Sequence, residues 1–221
     1  LEIFPKHPLT NKVRDRIATA YEHSRRSGHA AVERAEIWRN GGSTGQGVQA
    51  IRLFVKTNNG DSYKRATKLA SEMVAKLPAN KLLTGVGFQG LNAAERAEQW
   101  AEGLQVSKTL VRRNAPMNES EKRDLWYRTG RFEYRLGQFE NTIQSYRKAL
   151  SPGKDDLHRD LVETMITAKK APAEIEAEAR RYLAAYPYRG DRYHPLGRAA
   201  HAASGSDTSR ALKIAEEFLR H

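Results

Sequence analysis

Three arginines in this chain, Arg128, Arg131 and Arg135, are spaced i, i+3 and i+7, with Tyr127 and Tyr134 beside them. On a helix that spacing sets the three guanidinium groups along one stripe. A guanidinium offers planar, paired N–H donors, so a row of them suits carboxylates or phosphates held by bidentate, charge-assisted hydrogen bonds. The competing reading is a solvated basic face satisfied by nearby acids such as Asp124.

Residues able to break or make bonds are sparse. There is no cysteine, which excludes disulfides, thiol nucleophiles and Cys-ligated metal centres. The seven histidines (His7, His23, His29, His158, His194, His201 and His221) form neither His-x-x-x-His nor His-Glu-x-x-His, so no metal is expected. Arg189 and His194 have the Arg-x4-His spacing of a metal-independent ribonuclease motif, but Gly190 and Pro195 argue against the helix that motif needs. Gly41 to Gly47 is glycine-rich yet lacks the following Gly-Lys-Ser/Thr of a phosphate-binding loop, and reads as a linker. Glu174 and Glu178 share a helix face near a helix start, where acids favour the helix dipole without any catalytic role. No catalytic residue and no cofactor is expected.

The elements that must carry these residues are helices. Apolar residues recur at helical spacing over 11–26, 29–39, 46–57, 61–76, 92–113, 119–136, 139–150, 155–169, 172–186, 195–203 and 207–220. Asn118 with Glu121, and Asn92 with Glu95, read as capping boxes; Gly137 and Gly60 read as left-handed helix-closing residues; Pro172 suits a first helical position. Leu83 to Gly90 and Tyr186 to Pro195 are expected to be loops. The domain reading is an N-terminal helical segment over 1–45, degenerate helix pairs over 46–118 and further helix pairs over 119–221, in one continuous array.

Composition bounds the partners. The 221 residues hold 38 Lys+Arg against 26 Asp+Glu, a formal charge of +12, with a mean hydropathy of −0.74. The excess is spread, with 17 basic and 10 acidic groups over 1–110 and 21 and 16 over 111–221, and no basic arm stands out. An anionic partner is indicated: nucleic acid, anionic lipid or an acidic protein. No run of apolar residues is long enough to span a membrane, and no signal peptide is evident, so cytoplasmic is the default expectation. The chain starts at Leu1 without an initiator methionine, which fits either a processed product or a domain cut from a longer protein.

One segment carries a specific pattern. In residues 123–150, Trp126 opens a helix, Gly130 supplies a small residue at a helix crossing, Gly137 turns the chain, Phe139 follows, and Tyr146 and Ala149 stand on the second helix. This segment resembles a tetratricopeptide repeat, a 34-residue helix–turn–helix unit. Thr129 and Thr142 replace the usual leucine and alanine, and Pro152 comes about two residues early. The resemblance implies an all-α fold of helix–turn–helix repeats stacked as a right-handed solenoid, with weaker units over 46–80, 81–118, 155–187 and 194–220. It also implies a buried Trp126, whose replacement by alanine is expected to cost about 3–5 kcal/mol. First helices of this family line a concave peptide-binding groove; here those positions are Asp124, Tyr127, Arg128, Arg131, Tyr134 and Arg135. Some relatives clamp a C-terminal carboxylate with Lys, Arg and Asn, and this unit lacks the asparagine.

The functional expectation is a non-catalytic interaction scaffold that binds an acidic or phosphorylated peptide or protein. The alternatives are RNA binding on a basic superhelix, and a regulatory or oligomerising domain of a larger enzyme acting on an anionic polymer.

Overall fold

The computed structural model describes residues 8–150, 155–185 and 194–219. All regular structure there is helical, with no strand among the described residues, and the chain forms two compact units, 1–118 and 119–221. The first contains α1 (Pro8–His23), α2 (Ser27–Arg39), α3 (Thr44–Thr57), α4 (Gly60–Lys76), α5 (Lys81–Arg96) and α6 (Trp100–Arg112). The second contains α7 (Glu119–Arg135), α8 (Phe139–Ala149), α9 (Asp155–Thr167), α10 (Pro172–Ala185), α11 (His194–Ala203) and α12 (Thr208–Leu219). Within each unit consecutive helices pack together. Alternate helices also meet, α3 on α5 and α4 on α6 in the first unit and α9 on α11 in the second, which is how stacked helix pairs bury a continuous core. The fold is thus an all-α helical repeat.

The helix pairs share one turn. Arg25, Glu98, Gly137 and Lys169 all adopt left-handed backbone (φ of 60°, 54°, 72° and 54°). In each case the next residue's N–H reaches five residues back: Arg26 to the Tyr21 carbonyl, Gln99 to Ala94, Gln138 to Glu133 and Lys170 to Met165, at 2.8–3.0 Å. That bond satisfies a carbonyl the helix end would otherwise leave open. Arg26, Gln99 and Gln138 then start the following helix from nearly equal dihedrals (−91°/61°, −87°/71° and −87°/59°).

This turn corrects the sequence reading at one place. The expected single helix over 92–113 is broken at Ala97–Gln99, because Glu98 takes the left-handed conformation that Gly137 takes elsewhere. The expected loop from Leu83 to Gly90 is instead part of α5, which starts one residue after Asn80; that side chain accepts from Leu82 N and Leu83 N at 3.0 and 3.3 Å. Asn92 therefore sits inside α5 and is no cap. The glycines that looked like loop signals are points of close approach. A Cβ on Gly87 would lie 2.6 Å from Leu110 Cδ1, and one on Gly90 2.5 Å from Ala70 Cβ. Gly60 is not a helix-closing residue either: Asn58 takes the left-handed conformation (φ 56°), and Asn59 caps α4 by accepting from Ser62 N at 2.8 Å. Of the stretch 41–47, Gly45 and Gly47 belong to α3, which packs on α2, so no linker divides the chain at residue 45.

In the second unit the core is Ile143, Tyr146, Leu157, Leu161, Met165, Ile175, Leu196 and Ile214 with their neighbours. The inward face of α7 is Leu125, Thr129, Gly130, Phe132 and Glu133. Glu133 is buried and accepts from Ser145 Oγ at 2.6 Å, so its carboxylate is matched where burial alone would be unfavourable. Trp126 is not in the deep core as expected. It is half-buried against that cluster, with Lys148 Nζ 4.1 Å above its ring. Leu125, one position earlier, takes the fully buried place on α7.

Candidate functional site

The second helix of the 123–150 pair holds the first in place, and the two present one concave surface with α9. Arg131, Tyr134 and Arg135 of α7 and Tyr146 of α8 line a cleft of about 300 Å³; Asp160, Glu163 and Thr164 of α9 form its other wall. Helical spacing accounts for the α7 wall. Arg131 and Arg135 are one turn apart and Tyr134 lies between them, 39% exposed, its ring edge-on to Phe139 at 5.5 Å. An aromatic ladder fixes the base of the wall: Arg131 lies over Tyr127 at 5.8 Å, and Tyr127 stacks on Tyr146 at 6.0 Å. Burial raises the Tyr146 phenol well above its ordinary range, and the Asp160 charge adds to it, so this hydroxyl stays protonated and able to donate.

Of the expected groove residues, Arg131, Tyr134 and Arg135 meet at the cleft. Tyr127 supports it from beneath. Arg128 does not line it; its Nε donates to Asp124 at 3.0 Å within the helix. The repeat-defining positions behave as packing residues, with Gly130, Tyr146 and Ala149 buried and Gly137 at the turn. Arg189, and the loop reading over 186–193, lie outside the described residues; His194 opens α11.

Sequence reasoning missed the acidic wall. Aligning the turns supplies the signal: Gly137 and Lys169 are 32 residues apart and share one conformation. The same offset carries Arg128 onto Asp160, Arg131 onto Glu163 and Arg135 onto Thr167, so α9 repeats two of the three stripe positions of α7 with their charge inverted. Glu163 in turn accepts both Arg198 Nε and a terminal nitrogen at 2.7 Å, a bidentate pair that raises the Arg198 pKa. The cleft is therefore not a continuous arginine groove. It is a narrow seam with guanidinium groups on one side and carboxylates on the other.

The structure also redistributes the charge. Divided at its own boundary, the chain carries 19 basic and 10 acidic groups in 1–118 and 19 and 16 in 119–221. The basic excess belongs chiefly to the first unit, not to the arginine stripe. Among the described residues no group of three or more His, Asp or Glu side chains is placed to hold a metal, and no helix is long and apolar enough to cross a membrane.

No family model matches the chain, and no curated protein matches it. Among solved structures, it is similar to the crystal structure of BtubC (BKLC) from P. vanneervenii. That likeness has 15% sequence identity and a TM-score of 0.49, and covers 95% of this chain and 90% of the other. At that level nothing of that protein's own properties carries over.

Proposed function

We propose that this chain is a non-catalytic interaction scaffold of tetratricopeptide-like helix pairs, and that the cleft between α7 and α9 holds an acidic or phosphorylated segment of a protein partner. The observation that carries the reading is the convergence of Arg131, Tyr134 and Arg135 on one cleft. A carboxylate or phosphate would lie against the two guanidinium groups, exchanging their present contacts for a bidentate pair, with the Tyr146 hydroxyl as a further donor. Asp160 and Glu163 would accept from backbone amides or a basic side chain of the same segment. The preferred ligand thus pairs an anionic group with a neighbouring donor and is not uniformly acidic.

The experiment is fluorescence anisotropy of the full chain against labelled peptides with a phosphoserine or glutamate adjacent to a lysine. Charge reversal by R131E/R135E should weaken binding about tenfold or more. Equal affinity in wild type and variant would remove the cleft from consideration.

A second reading, nucleic-acid binding, has one observation in its favour, the 19 basic against 10 acidic groups of residues 1–118. It predicts affinity for unrelated single strands that falls steeply with salt.

A further inference from the structure

The first unit has its own candidate site, independent of the α7–α9 cleft. Half of its ten acids are engaged with three arginines: Asp15 and Glu22 hold Arg34, Glu33 holds Arg14, and Glu36 and Glu72 hold Arg39. Arg25 and Arg26 have no such partner among the described residues. They sit in the shared helix-pair turn between α1 and α2, where the left-handed backbone of Arg25 leaves both side chains exposed.

Opposite them lies the first turn of α4. Together they border an open cleft of about 490 Å³ lined by Arg25, Arg26 and His29 on one side and by Arg65, in the second turn of α4, on the other. Val32, Phe54 and Thr57 line its less exposed part. The single acid among its lining residues, Asp61, stands 3.4 Å from Arg65, with side chains 76% and 57% exposed. An ion pair that open to water contributes little, so Arg65 can turn to a better anion.

We propose that this cleft binds an oligophosphate, a small anion carrying two or more linked phosphate groups. Three guanidinium groups, two from the α1–α2 turn and one from the start of α4, can clamp such an anion, each through paired N–H donors matched to phosphate oxygens. The cleft volume lies within the usual range for small-molecule sites and exceeds what one phosphate group fills. A nucleic-acid strand fits the site less well. The arginines converge on a concavity and do not run along a rail, and the exposed ring on the rim, His29, is taken up by Tyr21 at 5.1 Å between centroids.

The test is isothermal titration calorimetry of the full chain with inorganic tripolyphosphate, orthophosphate and a short single-stranded oligonucleotide. Tripolyphosphate should bind about tenfold or more tightly than orthophosphate. R26A/R65A should weaken it about tenfold or more, and R25G should weaken it while relieving the left-handed backbone, so that misfolding does not confuse the result. D61N should tighten binding severalfold by removing the competing acid, a gain that general damage to the fold would not produce. Affinity unchanged in all three variants would overturn the proposal. So would tripolyphosphate binding no more tightly than orthophosphate, or an oligonucleotide of equal phosphate number outcompeting it.

Discussion

The ring of Tyr146 fills the space that any side chain at position 130 would need: a Cβ on Gly130 would lie 2.5 Å from Tyr146 Cε1. This contact is where α7 crosses α8, and it brings the Tyr127–Tyr146 stack beneath the arginine wall of the cleft. Intrinsic propensity and packing make opposite predictions for Gly130→Ala. Alanine favours a helix by about 1 kcal/mol, whereas an overpacked crossing loses about 1–3 kcal/mol. We expect the variant to be less stable in urea unfolding; an increase in stability would mean the helices do not cross at this point.

Trp126→Ala should cost about 1–2 kcal/mol, less than the loss expected of a fully buried tryptophan. The ring is half-buried and part of its interaction is with Lys148. Lys148→Ala combined with it in a double-mutant cycle should give a coupling below about 1 kcal/mol. A Trp126→Ala loss as large as that of Leu125→Ala would place the tryptophan in the core after all.

Glu98→Gly should leave stability within about 1 kcal/mol of wild type, since glycine relieves the left-handed backbone but loosens the unfolded chain. Glu98→Val should cost about 1–2 kcal/mol more, because a β-branched residue tolerates that conformation poorly. Equal thermal midpoints for the two variants would show that position 98 does not close α5 in this way.

The second unit should lose stability in acid through Glu178. Burial opposes its ionisation, but His158 Nδ1 at 3.3 Å and Arg181 donating at 2.8 Å outweigh that and hold the carboxyl below its ordinary value. A carboxyl depressed in the folded state binds protons less readily than in the unfolded chain. Its contribution is therefore complete above the unfolded value of about 4.3 and is lost as the pH falls through the lower folded value. Urea midpoints measured from pH 6 downward should fall below about pH 4.3, and Glu178→Gln should flatten that slope. An unchanged slope in the variant would assign acid sensitivity to other groups.

Helical periodicity was enough to place most of the helices, because apolar stripes such as Ile143, Tyr146 and Leu150 have no alternative burial. The same reasoning failed between residues 81 and 100 for two physical reasons. Gly85, Gly87 and Gly90 look like loop residues, yet Gly87 and Gly90 serve close helix packing. Glu98 closes a helix in a conformation that residue type does not advertise. At the cleft, Arg131, Tyr134 and Arg135 followed from spacing on one helix. Asp160 and Glu163 did not, because facing them across the cleft depends on stacking one helix pair on the next.

A groove with guanidinium groups on α7 and carboxylates on α9 has a sense of direction. A segment bearing an anion beside a cation matches charge on both walls in one orientation; turned end for end, it sets like charge against like on both. A ligand at such a site would be oriented by its charges as well as held by them, so a peptide of identical net charge with its anion and cation moved apart is a stricter control than a neutral one.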